Sequence, residues 1–131
     1  MHALAATVTE LGAGGLLILG LLTPLAAAGV VGTMLVALVA NHAKNGFFIF
    51  RPGEGYEYVL MITLAACAIG ALGAGDWSLD HAAGFSVTGW AGLAIAALAG
   101  AGGAALLLAA CWRPHPRVSA SGNADLVNEA Q

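Results

Sequence analysis

Residues 87–112 read VTGWAGLAIAALAGAGGAALLLAACW, a run without one charged side chain. A helix rises about 1.5 Å per residue, so the run is long enough to cross the roughly 30 Å hydrocarbon core of a bilayer. Trp90 and Trp112 stand near its two ends, and indole rings favour the boundary between lipid and water. Inside it Gly92, Ala96, Gly100 and Ala104 recur every four residues and so share one helical face. Small side chains at that spacing let helix backbones approach closely in lipid. The face is therefore expected to pack inside a bundle, with dimerisation the lesser use.

Three more apolar runs precede this one, at 3–22, 25–40 and 56–73. The first is interrupted only by Thr7, Thr9 and Glu10, and Thr23-Pro24 turns it directly into the second. No basic segment precedes it and no small-residue cleavage site follows, so a span is expected in place of a signal peptide. The second run stops at Asn41-His42-Ala43-Lys44-Asn45-Gly46, followed by Phe47, Phe48, Phe50 and the helix-breaking Arg51-Pro52-Gly53-Glu54-Gly55. The third opens with Glu57 between Tyr56 and Tyr58. An acid suits the positive end of a helix dipole, and tyrosine suits the membrane interface. A connector at 74–86 carries Asp76, Trp77, Asp80 and His81. The expected fold is all-α: a polytopic transmembrane bundle of four spans (3–22, 25–40, 56–73, 87–112) filling 1–112, then a disordered polar tail at 113–131.

Composition agrees with lipid as the main solvent. Of 131 residues, 60% are hydrophobic and 8% charged, with a mean hydropathy of +0.86. Soluble domains carry roughly 25% charged residues. The net charge is −3, and the four basic residues, Lys44, Arg51, Arg113 and Arg117, are too few and scattered for a nucleic-acid footprint. With four spans all four cations fall on one side. The positive-inside rule then puts loop 41–55 and the C-terminal tail in the cytoplasm of a cell with this chain in its inner (plasma) membrane, and the acidic 76–81 loop outside. Cys67 and Cys111 lie in apolar runs without a Cys-x-x-Cys partner, so neither disulfide nor metal chemistry is expected. His2, His42, His81 and His115 all avoid mid-span positions, which argues against a haem held between helices.

Two constellations remain as candidates for chemistry. Glu10 is the ionisable residue furthest inside an expected span, and a carboxylate there is costly unless paired, protonated or turned into the bundle. Thr7, Gly14 and Leu17 share its face, so its carboxyl is expected to look at another helix. The second constellation gathers Asn41, His42, Lys44, Asn45, Glu54, Tyr56 and Glu57 beside Phe47 and Phe48 at one membrane boundary. Donors, acceptors and proton carriers next to aromatic rings are what a quinone headgroup requires. The same residue types also serve as ordinary interfacial anchors and caps, so the pattern by itself leaves both uses open. The candidate quinone- or proton-handling set is Glu10, His42, Asn45, Tyr56 and Glu57, with no covalently held cofactor and no metal.

Glu10-Leu11-Gly12 leading to Gly15-Leu16-Leu17, then Gly20-Leu21-Leu22-Thr23-Pro24-Leu25-Ala26-Ala27, open an ordered series of segments. Met34-Leu35-Val36-Ala37, Asn45-Gly46-Phe47-Phe48, Gly55-Tyr56-Glu57-Tyr58-Val59-Leu60 and Gly75-Asp76-Trp77-Ser78-Leu79-Asp80 continue it. In order and spacing these resemble the DoxX family of small bacterial membrane proteins over about 3–80. The resemblance implies a four-helix membrane fold and, in some members, association with oxidoreductases, including a quinone-linked thiosulfate-oxidising enzyme. Family members usually begin with a further helix upstream of the glutamate segment, and the run 87–112 lies beyond their usual end, so the four spans here are not the family's four. The resulting expectation is a small membrane subunit of a quinone-linked redox system with no activity of its own. The alternatives are a membrane scaffold recruiting a partner and, less readily, a transporter of small solutes or lipids. Expected partners are membrane lipid, a membrane or soluble oxidoreductase and a second copy of the chain.

Overall fold

A computed structural model describes residues 2–42, 46–48, 50 and 55–111. The expected tail at 113–131, together with Trp112, Lys44, Asn45, Arg51 and Glu54, lies outside the described residues, as do the side chains of Asn41, His42 and Cys111. The chain forms α1 (His2–Leu19), α2 (Thr23–Ala37) continued by a π-helical turn (Leu38–His42), α3 (Glu57–Leu72), a single turn α4 (Leu79–Ala82) and α5 (Gly89–Cys111). Among the described residues no strand occurs.

Each boundary has a local cause. The first expected span ends three residues early, because Gly20 takes a φ of 60° and Leu22 a φ of 50°. The Leu21 and Gly20 N–H groups close back onto the Leu16 and Leu17 carbonyls at 2.9 and 3.2 Å, the paired bonds that satisfy the orphan carbonyls at a helix end. Thr23 and Pro24 then start α2 with proline in the first turn, where its missing N–H costs nothing. Gly73 ends α3 at a φ of 77°. The connector at 74–86 is more ordered than expected: Ser78 caps α4, its Oγ accepting the His81 N–H at 3.1 Å.

α2 sits at the centre, packed against α1, α3 and α5, and α3 also packs on α5. The expected small-residue stripe makes these contacts: Gly92, Ala96, Gly100 and Ala104 are all buried. A Cβ added to Gly100 would stand 2.7 Å from Val31 Cβ and 2.8 Å from the Ala28 carbonyl oxygen, and one added to Gly92 would overlap the Gly70 carbonyl. Only glycine permits such backbone-to-backbone approach. On the other side of α2, Gly29 receives Ala13 and Thr9 of α1.

The interior is made of small residues. Its buried apolar members are Ala13, Ala26, Ala27, Ala28, Val31, Val59, Ala66, Ala96 and Ala104, and among the described residues no large side chain is fully buried. The large ones face outward: Ile18 is 87% exposed, Leu72 78%, Leu98 73% and Leu106 74%. A water-soluble bundle would bury these, since its stability depends on removing them from water. Small residues inside and leucine and isoleucine outside is the arrangement suited to a lipid solvent, where tight backbone packing drives association. Two helical stretches, Thr23–Ala40 and Gly89–Ala110, are long and apolar enough to cross a membrane, and the shorter apolar stretches Thr7–Leu19 and Glu57–Leu72 lie in the other two long helices. The protein is an all-α membrane protein.

Candidate functional site

The helices run alternately up and down, which sorts the polar connectors into two ends. At one end the α1–α2 turn meets the 73–88 connector. Gly20 has no room for a side chain there: an added Cβ would lie 2.5 Å from Ser78 Cβ. The Asp80 N–H donates to the Gly20 carbonyl at 2.9 Å. The Asp80 carboxylate, buried, in turn accepts the Leu22 N–H at 2.7 Å, the Thr23 N–H at 2.9 Å and the Thr23 hydroxyl at 2.9 Å. It thereby satisfies orphan donors at the N-terminus of α2 and complements the positive end of that helix. Burial pushes the Asp80 carboxyl up, but the bonds from the Thr23 N–H, the Leu22 N–H and the Thr23 hydroxyl favour the charged form and together hold it below its ordinary value. Asp80 was not among the expected site residues. The Thr23-Pro24 turn hints that α2 needs a cap, yet nothing local reveals that the cap comes from a residue 57 positions away.

An open cavity of about 210 Å³ adjoins this end, lined in part by Asp76, Asp80, His81 and Thr88. The His81 Nδ1 stands 3.8 Å from an Asp76 oxygen, both side chains well exposed, which is a solvated pair of little energetic consequence. Among the described residues no group of His, Cys, Asp and Glu could hold a metal ion.

The opposite end holds the boundary cluster. The segment around Phe47 folds against the start of α3: the Gly55, Tyr56 and Glu57 N–H groups donate to the Phe48, Gly46 and Phe47 carbonyls at 3.2, 3.1 and 3.0 Å. Gly55 is buried so closely that any Cβ would overlap the Phe47 carbonyl oxygen. The rings of Phe47 and Tyr56 meet edge to face at 5.5 Å, Phe47 and Phe48 likewise at 5.3 Å, and Phe48 stacks on Phe50 at 5.4 Å. Beside this aromatic wall Glu57 is half-buried, and its Oε2 is shielded from solvent without a hydrogen-bond partner. Such an oxygen costs about 1–3 kcal/mol relative to a satisfied one and calls for an explanation.

The structure thus brings Tyr56 and Glu57 together with Phe47 and Phe48. The backbone of His42 closes the π-helical turn at the end of α2, on the way into the same connector, while Asn45 lies outside the described residues. Glu10 is placed differently from expectation. It stands midway along α1 on an exposed face, and among the described residues it has no hydrogen-bond or ion-pair partner. The helix rotates so that Ala13 and Thr9 fit Gly29 of α2, because backbone approach at a glycine outweighs the inward turn of one carboxyl. A charge so placed in hydrocarbon costs about 2.5–3.5 kcal/mol on insertion scales.

Residues 1–43 match the family model described as DoxX. That stretch holds α1, α2 and the π-helical turn, and it ends before Tyr56, Glu57 and Asp80. No curated protein and no solved structure matches the chain. The match covers residues 1–43 of 131, so the first two helices of this membrane protein are similar to those of the DoxX family.

Proposed function

We propose that the chain is a small membrane subunit of a quinone-linked redox system, with the quinone headgroup bound at the end of the bundle where α3 begins. The observation that carries this reading is the shielded, unpartnered Oε2 of Glu57, a residue whose backbone N–H bonds the Phe47 carbonyl and which follows Tyr56 at the packed rings of Phe47, Phe48 and Tyr56. Glu57 Oε2 would accept a quinol hydroxyl and hold its proton, and the Tyr56 hydroxyl would donate to a quinone carbonyl. Phe47 and Phe48 supply apolar walls for the ring. His42 and Asn45 belong to the same connector and would extend the proton path, whereas Glu10 stands apart on α1. Electrons come from a partner oxidoreductase in this scheme. The loop 41–55 and the tail face the cytoplasm of the inner membrane, following their four basic residues.

The test is titration of a short-chain quinol into the chain reconstituted in lipid vesicles. Glu57→Gln is expected to raise the Kd about tenfold, the loss of one charged hydrogen bond. An unchanged Kd in a folded variant rejects the headgroup site.

A second reading, a scaffold that recruits a partner, draws support from the exposed carboxyl of Glu10 on α1. Transport of solutes is less supported, because Thr33 and Thr63 inside the spans direct their hydroxyls to the Gly29 and Val59 carbonyls of their own helices, at 3.0 and 2.8 Å.

A further inference from the structure

The 73–88 connector does not project from the bundle but lies flat on three helix ends. Ser78 sits against Gly20, just past the last residue of α1, where an added Cβ would lie 2.5 Å from the Ser78 Cβ. Gly73, at the end of α3, is met in the same way at 2.6 Å by Thr88, one residue before α5 starts. Trp77 is one Cα step of about 3.8 Å from Ser78 and so is held at the same level. The Phe85 N–H donates to the Asp80 carbonyl at 2.8 Å, and the Asp80 N–H donates in turn to Gly20. Trp90 lies in the first turn of α5.

All three rings at this level are left bare by the chain, Trp77 at 103% exposure, Trp90 at 86% and Phe85 at 63%. Aromatic rings carry a large apolar area, so bare ones at a fixed level call for a cover from outside the chain. From Phe85 toward the interior of the span, the outer surface continues as an apolar groove of about 140 Å³, lined in part by Leu22, Leu25, Val87 and Ile95 of α2, α5 and their flanks. Next to the rings, Asp76 and His81 carry exposed polar side chains. The rings therefore stand where an apolar, lipid-facing surface gives way to a polar one. Indole, with an apolar body and one polar N–H, favours that boundary in a bilayer.

We propose that the 73–88 connector lies in the lipid–water interface of one leaflet, with the Trp77, Phe85 and Trp90 rings seated among phospholipids where headgroups meet acyl chains. The occupant of this aromatic face is the bilayer itself, because the face is continuous with the lipid-facing sides of α2 and α5. Seating the rings there sets the depth of α3 and α5 in the membrane. This inference rests on the membrane placement alone and is independent of the quinone site at Glu57.

The test uses the full chain in phosphatidylcholine vesicles with Trp77 as its single tryptophan, Trp90→Phe and Trp112→Phe removing the others and circular dichroism verifying the helices. Lipid brominated near the top of its acyl chains should quench Trp77 fluorescence about twofold, and lipid brominated near the chain ends should quench it less. Iodide in the water should quench it about threefold less than it quenches free tryptophan. Phe85→Trp, in a chain whose three native tryptophans are replaced by Phe, should repeat the pattern. Full iodide quenching without any effect of the brominated lipids overturns the proposal, because the ring would then face solution. Stronger quenching from the chain ends also overturns it, since the ring would lie deep in hydrocarbon. Protection from all three quenchers overturns it as well, because a second copy or another protein would then cover the ring.

Discussion

The two polar ends of the bundle hold one critical carboxylate each, and they treat it in opposite ways. Asp80 receives three hydrogen bonds, two of them from backbone N–H groups at the start of α2. Glu57 also sits at a helix N-terminus, but its Oε2 is shielded and receives none. An acid at a helix start is thus not one kind of feature. Where both oxygens are answered from within the chain, the carboxylate is structural, locking the α1–α2 turn to the 73–88 connector. Where one is left over beside aromatic rings, the residue has capacity for something outside the chain.

Removing Asp80 tests the stronger half of this contrast. Asp80→Ala leaves the Leu22 and Thr23 donors unanswered in a buried turn, and it is expected to destabilise the protein by about 3–5 kcal/mol. Thermal unfolding in mild detergent would show it, and an unchanged midpoint would refute the clamp. Acid should do the same more gradually. The folded carboxyl titrates below its ordinary value, so its stabilisation is complete above the unfolded Asp pKa of about 3.9 and is lost as pH falls through the lower folded value. The wild-type midpoint should therefore drop over that acidic window, and Asp80→Asn should flatten the dependence. The smallest effect belongs to the other end: Glu57→Gln should alter stability by less than about 1 kcal/mol, because no internal bond to Oε2 is lost. Pairing that near-neutral stability with a tenfold weaker quinol affinity would separate a binding residue from a structural one. A large loss of stability in Glu57→Gln would erase the contrast.

Much of the bundle was legible in the residues. The spacing of Gly92, Ala96, Gly100 and Ala104 announced a packing face, and all four are buried against α2 and α3. The aromatic and acidic cluster at Tyr56 and Glu57 was likewise visible, since interfacial residues follow directly from where an apolar run begins. The rotation of α1 was not. Thr7, Gly14 and Leu17 suggested an inward face for Glu10, but the helix is oriented by where Ala13 meets Gly29, a relation between two helices that no single-helix periodicity contains. The capping role of Asp80 was hidden for a similar reason: its partners lie across the turn at Leu22 and Thr23, beyond any local pattern.

By itself, the sequence determined that the chain is helical, where its apolar runs begin and end, and that its solvent is lipid. These follow from hydropathy and from the breakers at Thr23-Pro24 and Arg51-Pro52-Gly53, which act within a few residues. Only the tertiary structure decided that Asp80 is satisfied, that Glu57 is left with an open oxygen, and that Glu10 faces outward. Those outcomes depend on which backbones approach most closely, and close approach is set by glycine and alanine meeting across helices far apart in the chain.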